Sequence, residues 1–497
     1  MLQLHDTATG TVRPLALREP GHVSMYVCGP TVYDLPHLGH GRYSLVFDVL
    51  RRYLSFRGLD VRYVSNVTDV DDNIINRAAA EGRTEPEVAA EYEARWWEAM
   101  DALGVLRPTE TPHATAYVPD MVDLVADLVA RGAAYETADG VYLAVDTVDG
   151  YGLLARQPLD SLRTGARVDV VEGKRSPLDF AVWKRAKPGE PSWESPWGPG
   201  RPGWHTECVV MSLDLLGEDF DLHGGGQDLA FPHHENERAQ AVAEGRPFAR
   251  HWVHNGWVMV GGEKMSKSLG NFTSLTDLLA RADARAYRLL VLRSHYRSPI
   301  EVTAETIADA EKGLARLDAL ARRFSLADPL QAADPVVAGE GPAAGAAAVE
   351  VERFCARMDD DLDTPGALAG IFDLVNRANA AADGATDAGR ESADGADPAT
   401  ADTDPATVAD PDAGTDPDAG TDAATSARTV AILCAALGLG LRGGVADELD
   451  DETRRLVAER DAARAAKDWS RADALRVALV DRGWIVEDGP TGTAVRR

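Results

Sequence analysis

An alternating apolar segment, Val23, Met25 and Val27, runs into Cys28-Gly-Pro-Thr-Val-Tyr-Asp-Leu-Pro-His-Leu-Gly-His40. Apolar positions at helical spacing follow, Val46, Val49, Leu50 and Tyr53. Period two giving way to period 3.6 predicts a buried strand that enters an amphipathic helix. Gly29 and Gly39 permit close backbone approach to a ligand, and the helix start offers unpaired N–H groups to phosphate. A thiol, two glycines and two histidines at such a junction suit a site. The plainer alternative is an ordinary turn with a buried Cys28 and surface histidines.

At 497 residues the chain is too long for one compact core, and three or four domains are expected. It starts Met-Leu-Gln-Leu-His-Asp, without a charged-then-apolar leader, and no apolar run is long enough to span a bilayer. A cytoplasmic protein without membrane contact is expected. Four cysteines, at 28, 208, 355 and 434, make no disulfide framework and leave thiols for metal. The formal net charge of −29 argues against a nucleic-acid partner if taken alone. An acidic shell suited to a very salty cytoplasm gives the same number, and at molar salt the Debye length falls to about 3 Å. Local charge therefore has to decide.

Val61-Arg-Tyr-Val64 reads as a second strand, leading into the polar run Ser65-Asn-Val-Thr-Asp-Val-Asp-Asp72. Open α/β sheets place ligands at such a carboxyl end, although a solvated helix-capping loop has the same composition. Residues 85–132 read as helical, and 135–203 as short β pieces among Pro, Gly and Trp, an insertion between two halves of a nucleotide-binding sheet. Strands are expected again at 219–223 and 251–260, then helix from 302 to about 380. Residues 382–427 carry twelve acids against one Arg and are expected to be a disordered loop. Helical signal returns at 429–439. Residues 452–497 hold ten cations against eight acids, the locally positive stretch best suited to a polyanion.

Two further fragments bear on Cys28. Gly203-Trp-His-Thr-Glu-Cys208 opens an apolar helix, and His223-Gly-Gly-Gly-Gln-Asp-Leu-Ala-Phe-Pro-His-His-Glu-Asn-Glu237 puts His233 and Glu237 four apart on a helix expected to start near Pro232. Two thiols, an imidazole and a carboxylate suit zinc. The alternative is two merely buried cysteines and a surface His233. Gly261-Gly-Glu-Lys-Met-Ser-Lys-Ser-Leu-Gly270 then sets Lys264 and Lys267 on a glycine-hinged loop able to close over a triphosphate.

His37-Leu-Gly-His40 with Lys264-Met-Ser-Lys-Ser268 is the signature pair of class I aminoacyl-tRNA synthetases. With Cys28, Cys208, His233 and Glu237, the chain resembles the cysteinyl-tRNA synthetase family, in an acidic, halophile-type version. The likeness extends to Asn66–Asp72, to Met358-Asp-Asp-Asp-Leu-Asp-Thr-Pro365 and to Ala466-Lys-Asp-Trp-Ser-Arg-Ala-Asp473, and covers nearly everything except the acidic tract. It implies an α/β fold: a Rossmann-like parallel-sheet catalytic domain (1–115 and 203–297) with an inserted domain (116–202). A helical-bundle domain (298–381 and 428–449) and a small anticodon-recognition module (450–497) would follow.

The resemblance also implies the chemistry. L-Cysteine attacks the α-phosphate of ATP, and the cysteinyl group then passes from the adenylate to the 3′-terminal ribose of tRNA(Cys). His37, His40, Lys264 and Lys267 would be catalytic, and His37, Gly39, His40 and Lys267 would hold ATP with its Mg2+. Gly29, Thr68, Trp204 and Asp228 would line the amino-acid pocket. One Zn2+ would sit on Cys28, Cys208, His233 and Glu237 and take the substrate sulfur. An apolar pocket separates near-isosteres such as cysteine and serine by only about 1–3 kcal/mol, whereas a metal discriminates a thiolate from an alcohol. A monomer is expected. Two rivals stand beside this reading: a cysteine:amino-sugar ligase of the same superfamily, and a zinc-containing RNA-binding protein without catalysis.

Overall fold

The computed structural model describes residues 2–156, 173–260, 263–264, 274–331, 347–394, 422–443, 451–489 and 492–496. β1 (Gln3–Asp6) and β2 (Thr11–Pro14) form an antiparallel hairpin. β3 (His22–Val27) then leads through α1 (Leu38–Phe56) to β4 (Asp60–Val64), its parallel neighbour. The helices α2 (Asp72–Glu81), α3 (Glu85–Ala102) and α4 (Val118–Ala130) follow. The single helical stretch expected over 85–132 is thus interrupted, across a segment that holds Pro108 and Pro112.

β5 (Ala134–Glu136), β6 (Gly140–Leu143), β7 (Phe180–Arg185) and β8 (Gly200–Pro202) make a separate antiparallel sheet. It is tied to the start of α2 by Asp72, which accepts from Lys184 at 2.7 Å and from Arg201. The parallel sheet resumes after α5 (Trp204–Leu216), with β9 (Leu222–Gly226), α6 (Glu235–Ala243) and β10 (Trp252–Asn255). Its strand order is β10-β9-β3-β4, all parallel. β3 and β9 are buried through nearly all their length, as parallel strands covered on both faces require.

Two strands differ from their sequence reading. The strand expected at 219–223 starts three residues later: Asp219 is left-handed (φ +58°), and the Asp221 carboxylate is taken by Ser24 on β3. The strand expected over 251–260 is two. β10 ends at Asn255, and Val258–Val260 (β11) joins a different sheet with β12 (Glu263–Lys264) and β13 (Ile300–Glu301). The break is at Gly256, where a Cβ would lie 2.4 Å from the carbonyl oxygen of Arg297.

The remaining chain is largely helical: α7 (Leu275–Leu279), α8 (Ala284–Leu292), α9 (Ala304–Arg323), α10 (Ala348–Met358), α11 (Thr364–Asp394) and α12 (Ala423–Ala436). α11 continues through Asp394 and α12 begins at Ala423, so both ends of the acidic tract expected as loop are helical. The tract's middle lies outside the described residues. One core runs from the sheet (Val23, Met25) through α1 (Val49, Leu50, Tyr53) into these helices (Leu289, Leu317, Ile371, Leu433). α13 (Asp451–Ala465), α14 (Trp469–Asp481) and the hairpin of β14 (Ile485–Gly489) with β15 (Gly492–Arg496) pack around their own small core of Leu456, Leu479, Trp484 and Val486.

Candidate active site and metal centre

The order of the parallel sheet reverses between β3 and β9, and ligands of open α/β sheets bind at such a crevice. A cavity of about 590 Å³ opens there, at the carboxyl ends of β3, β9 and β10. Cys28, Gly29, His37, Gly39, His40, Trp204 and Asp228 all line it, together with Tyr43, Asp71 and Trp257. Gly29 is fixed by contact: a Cβ there would stand 1.6 Å from the Asn66 carbonyl oxygen, and the Gly29 N–H donates to Asn66 Oδ1 at 2.9 Å.

His37 and His40 do more than point at a ligand. His37 is the N-cap of α1: its Nδ1 accepts from the His40 N–H at 3.1 Å, and His40 Nδ1 accepts from the His37 N–H at 3.3 Å. The rings stack with centroids 3.5 Å apart. With both Nδ1 atoms accepting, the neutral rings carry their protons on Nε2, the tautomer that donates to an anion. Trp96 meets the His40 ring edge-on at 5.4 Å.

Deeper in the crevice four side chains from three elements converge. Cys28 follows β3, Cys208 lies on α5 and Glu237 on α6, with His233 in the five-residue turn Ala230–His234 just before α6. The helix expected from Pro232 therefore starts at Glu235, yet His233 and Glu237 still meet at 2.9 Å. Cys28 Sγ is 3.6 Å from Cys208 Sγ and 3.4 Å from Glu237 Oε1, and Cys208 Sγ is 3.7 Å from His233 Nε2. All four are buried, with every ligand atom within 4.8 Å of the others. A tetrahedral metal with sulfur at about 2.3 Å needs an S–S edge of about 3.8 Å, so the cluster is close to the right size before any ion enters. The donor set fits a borderline-soft divalent cation.

The electrostatics agree. The hydrogen bond from Cys28 draws the Cys208 thiol down to about 6 against the effect of burial. Burial opposes the His233 charge, but Glu237 and Cys208 outweigh it and lift that imidazole to about 10. Burial pushes Glu237 up, and His223 and His233 more than reverse it, holding the carboxylate well below its usual range. Burial, in contrast, holds the Cys28 thiol well above the ordinary cysteine value, and a metal bound to the cluster would have to displace its proton.

Two histidines beyond the four candidate ligands support the cluster from outside. His223 Nε2 contacts Glu237 Oε2 at 2.7 Å, and His205 Nδ1 contacts His233 Nδ1 at 2.8 Å. Trp204 stacks on His233, centroids 4.1 Å apart, which joins the metal cluster to the cavity wall. In the sequence both histidines stand inside the fragments that carry the ligands, His205 in Trp204–Cys208 and His223 at the start of His223–Glu237. Thr68 is buried behind the cavity, donating to Glu207 Oε2 at 2.9 Å and accepting from Asn66 at 3.2 Å. Lys264 ends β12, paired with Met259 of β11, and Lys267 lies outside the described residues.

The cysteine--tRNA ligase of Anaeromyxobacter dehalogenans (strain 2CP-1) is 45% identical to this chain over 499 residues, covering 99% of this chain and 98% of that protein. The chain belongs to the cysteinyl-tRNA synthetase family. A second cysteine--tRNA ligase, from Thioalkalivibrio sulfidiphilus, is 45% identical over 507 residues and covers all of both chains. The family model for the tRNA synthetases class I (C) catalytic domain matches residues 15–312, the DALR domain residues 353–400, and the cysteinyl-tRNA ligase anticodon binding domain residues 446–496. The last match leaves an amino-sugar ligase without support. Among solved structures, Mycobacterium tuberculosis methionyl-tRNA synthetase in complex with methionyl-adenylate shares the fold, with a TM-score of 0.57 at 16% identity over 84% of this chain and 89% of that one. In this cysteinyl-tRNA synthetase family member no described helix is long and apolar enough to cross a membrane.

Proposed function

We propose that this member of the family ligates L-cysteine to tRNA(Cys) at the expense of ATP, as a cytoplasmic monomer, with one Zn2+ held by Cys28, Cys208, His233 and Glu237. The observation that carries the zinc assignment is the shared wall. Cys28 belongs both to the buried S2NO cluster and to the 590 Å³ cavity, and Trp204 joins the two. A substrate lying in the cavity can therefore reach the cluster with a short side chain. Bound there, zinc would take the substrate sulfur as thiolate and leave a seryl hydroxyl the poorer partner.

The chain's own residues account for the rest. His37 and His40, protonated on Nε2, donate to the phosphates of Mg2+-ATP at the start of α1, where the helix dipole also favours negative charge. Gly29, Trp204 and Asp228 border the amino-acid end, and Thr68 supports it through Asn66, whose side-chain oxygen receives the Gly29 N–H. The substrate carboxylate attacks the α-phosphate, pyrophosphate leaves, and Lys264 and Lys267 stabilise the charge that develops on the phosphates. A 3′-terminal ribose hydroxyl of the tRNA then attacks the adenylate's acyl carbon and releases AMP. The carboxyl-terminal module reads the anticodon.

Two assays test the reading together. Cysteine-dependent exchange of pyrophosphate into ATP is expected without tRNA, and charging of purified total tRNA with cysteine but not serine is expected, with serine gaining ground when a chelator strips the metal. Absence of cysteine-dependent exchange with zinc supplied overturns the enzymatic assignment, and unchanged selectivity after proven metal removal overturns the role of zinc.

A further inference from the structure

Arg42 sits on α1 immediately after the His37–His40 cap and is among the most completely buried side chains of the protein, 1% exposed. Its guanidinium donates to the carbonyl oxygens of Trp257 and Ser298, and to that of Tyr296 at 3.0 Å. Among the described residues no carboxylate lies within 4.0 Å of it, and its Nε–H is buried without a partner. The other fully buried arginine, Arg288, is treated differently, with Asp48 2.5 Å away. Arg201, 5% exposed, meets Asp72. In a chain with 80 acidic residues, a buried cation without an acid is not a shortage of acids.

Taking a guanidinium out of water is costly, and carbonyl dipoles repay only part of that cost. Burial draws its pKa down to about 10, so it stays charged at neutral pH. The countercharge has to come from elsewhere. Arg42's neighbours along the chain, Gly39, His40 and Tyr43, line the cavity, and so does Trp257, whose carbonyl it grips. The start of α1 adds its own positive potential on the same side.

We propose that Arg42 is a positioning residue whose buried charge, acting from behind the cavity wall without contact, holds the polyphosphate of ATP at the start of α1. The inference rests on the reading of this cavity as the ATP site. Charge felt through protein is screened far less than charge felt through water, so the effect belongs to the phosphates and not to the adenosine. Gripping Trp257, Tyr296 and Ser298 is the structural half of the role, and it would act on adenosine and ATP alike.

The test measures equilibrium binding of ATP and of adenosine to the full-length protein and to Arg42→Gln and Arg42→Lys. Arg42→Gln is expected to weaken ATP about tenfold and adenosine less than about twofold, while Arg42→Lys keeps the wild-type preference for ATP over adenosine to within about threefold. Equal loss of both ligands in Arg42→Gln, or no loss of ATP, overturns the proposal in favour of a purely mechanical clamp. Should Arg42→Gln not fold, Arg42→Lys decides through pH, since a buried ammonium gives up its charge at a lower pH than a guanidinium: its ATP-over-adenosine preference is expected to fall relative to wild type as pH rises above neutral, and a preference that tracks wild type throughout overturns the proposal. Wild-type protein that binds ATP no better than adenosine would instead overturn the reading of the cavity, a separate outcome.

Discussion

His223 Nε2 lies 2.7 Å from Glu237 Oε2, which turns the other carboxylate oxygen, Oε1, toward Cys28 and His233 at 3.4 and 2.9 Å. A carboxylate that could swing is thereby held with one oxygen inside the cluster, by a ring that itself stacks on Trp252. Outer partners of this kind are worth about 10–100-fold in metal affinity. His223→Ala is therefore expected to lose zinc to a chelator at about 10–100-fold lower concentration than wild type, with the fold intact. Competition against a colorimetric chelator measures this, and wild-type retention would remove the role.

Cys208→Ser replaces one of two sulfur donors with a hydroxyl that ionises poorly. Bound zinc, measured by elemental analysis, is expected to fall below one per chain. The cysteine-over-serine ratio in pyrophosphate exchange is expected to fall with it. Full zinc with unchanged selectivity would exclude Cys208 from the site.

Lys267→Ala is expected to lower kcat by about 10²–10³-fold, in the range of a lost transition-state donor, and to change the KM for cysteine far less. Lys264→Ala should show the same split with a smaller fall. Steady-state exchange kinetics decide it, and a rate equal to wild type would exclude the lysine from the transition state.

Asp48 on α1 is fully buried and meets Arg288 at 2.5 Å, Arg52 at 2.9 Å and the Leu106 N–H at 2.8 Å. Burial raises its pKa, but the two arginines overcompensate and leave it below the ordinary aspartate value. A depressed native pKa stabilises the fold above the unfolded value of about 3.9, and that contribution is lost as pH falls through the native one. Asp48→Asn leaves Arg288 without a counter-ion and is expected to cost about 3–5 kcal/mol at pH 7. In urea unfolding the gap from wild type should narrow below about pH 4. A gap independent of pH would assign the loss to packing.

Removing residues 450–497 takes away a unit with its own core, Leu456, Leu479, Trp484 and Val486. Charging of tRNA is expected to fall at least tenfold while cysteine-dependent pyrophosphate exchange stays within about twofold of wild type. Equal loss of both would show that the module supports the catalytic fold.

Much of this was legible in one dimension because the informative residues act locally. The switch from period two to helical spacing around Cys28 marks β3 and α1, since burial on one face imposes that spacing wherever the strand and helix are placed. The spacing of His233 and Glu237 survived even though the helix begins at Glu235 and not at Pro232, because four residues of right-handed turn return to the same side whether or not a helix is assigned there. The strand ends were less legible. The strand expected through Val260 breaks at Gly256 because the Arg297 carbonyl approaches there, a contact from forty-one residues away.

Residue types and short-range spacing marked a nucleotide-binding sheet and made Cys28, Cys208, His233 and Glu237 a plausible zinc set, and the resemblance to a known family identified the two signature strings. Only the tertiary structure brought Cys28 within 3.6 Å of Cys208, 180 residues apart, and joined their cluster to the cavity through Trp204. It alone left Arg42 buried with no carboxylate within 4.0 Å among the described residues. The physical reason is that periodicity records which face of an element is buried, whereas distances between elements and the water excluded around a charge depend on how all the elements close on one another.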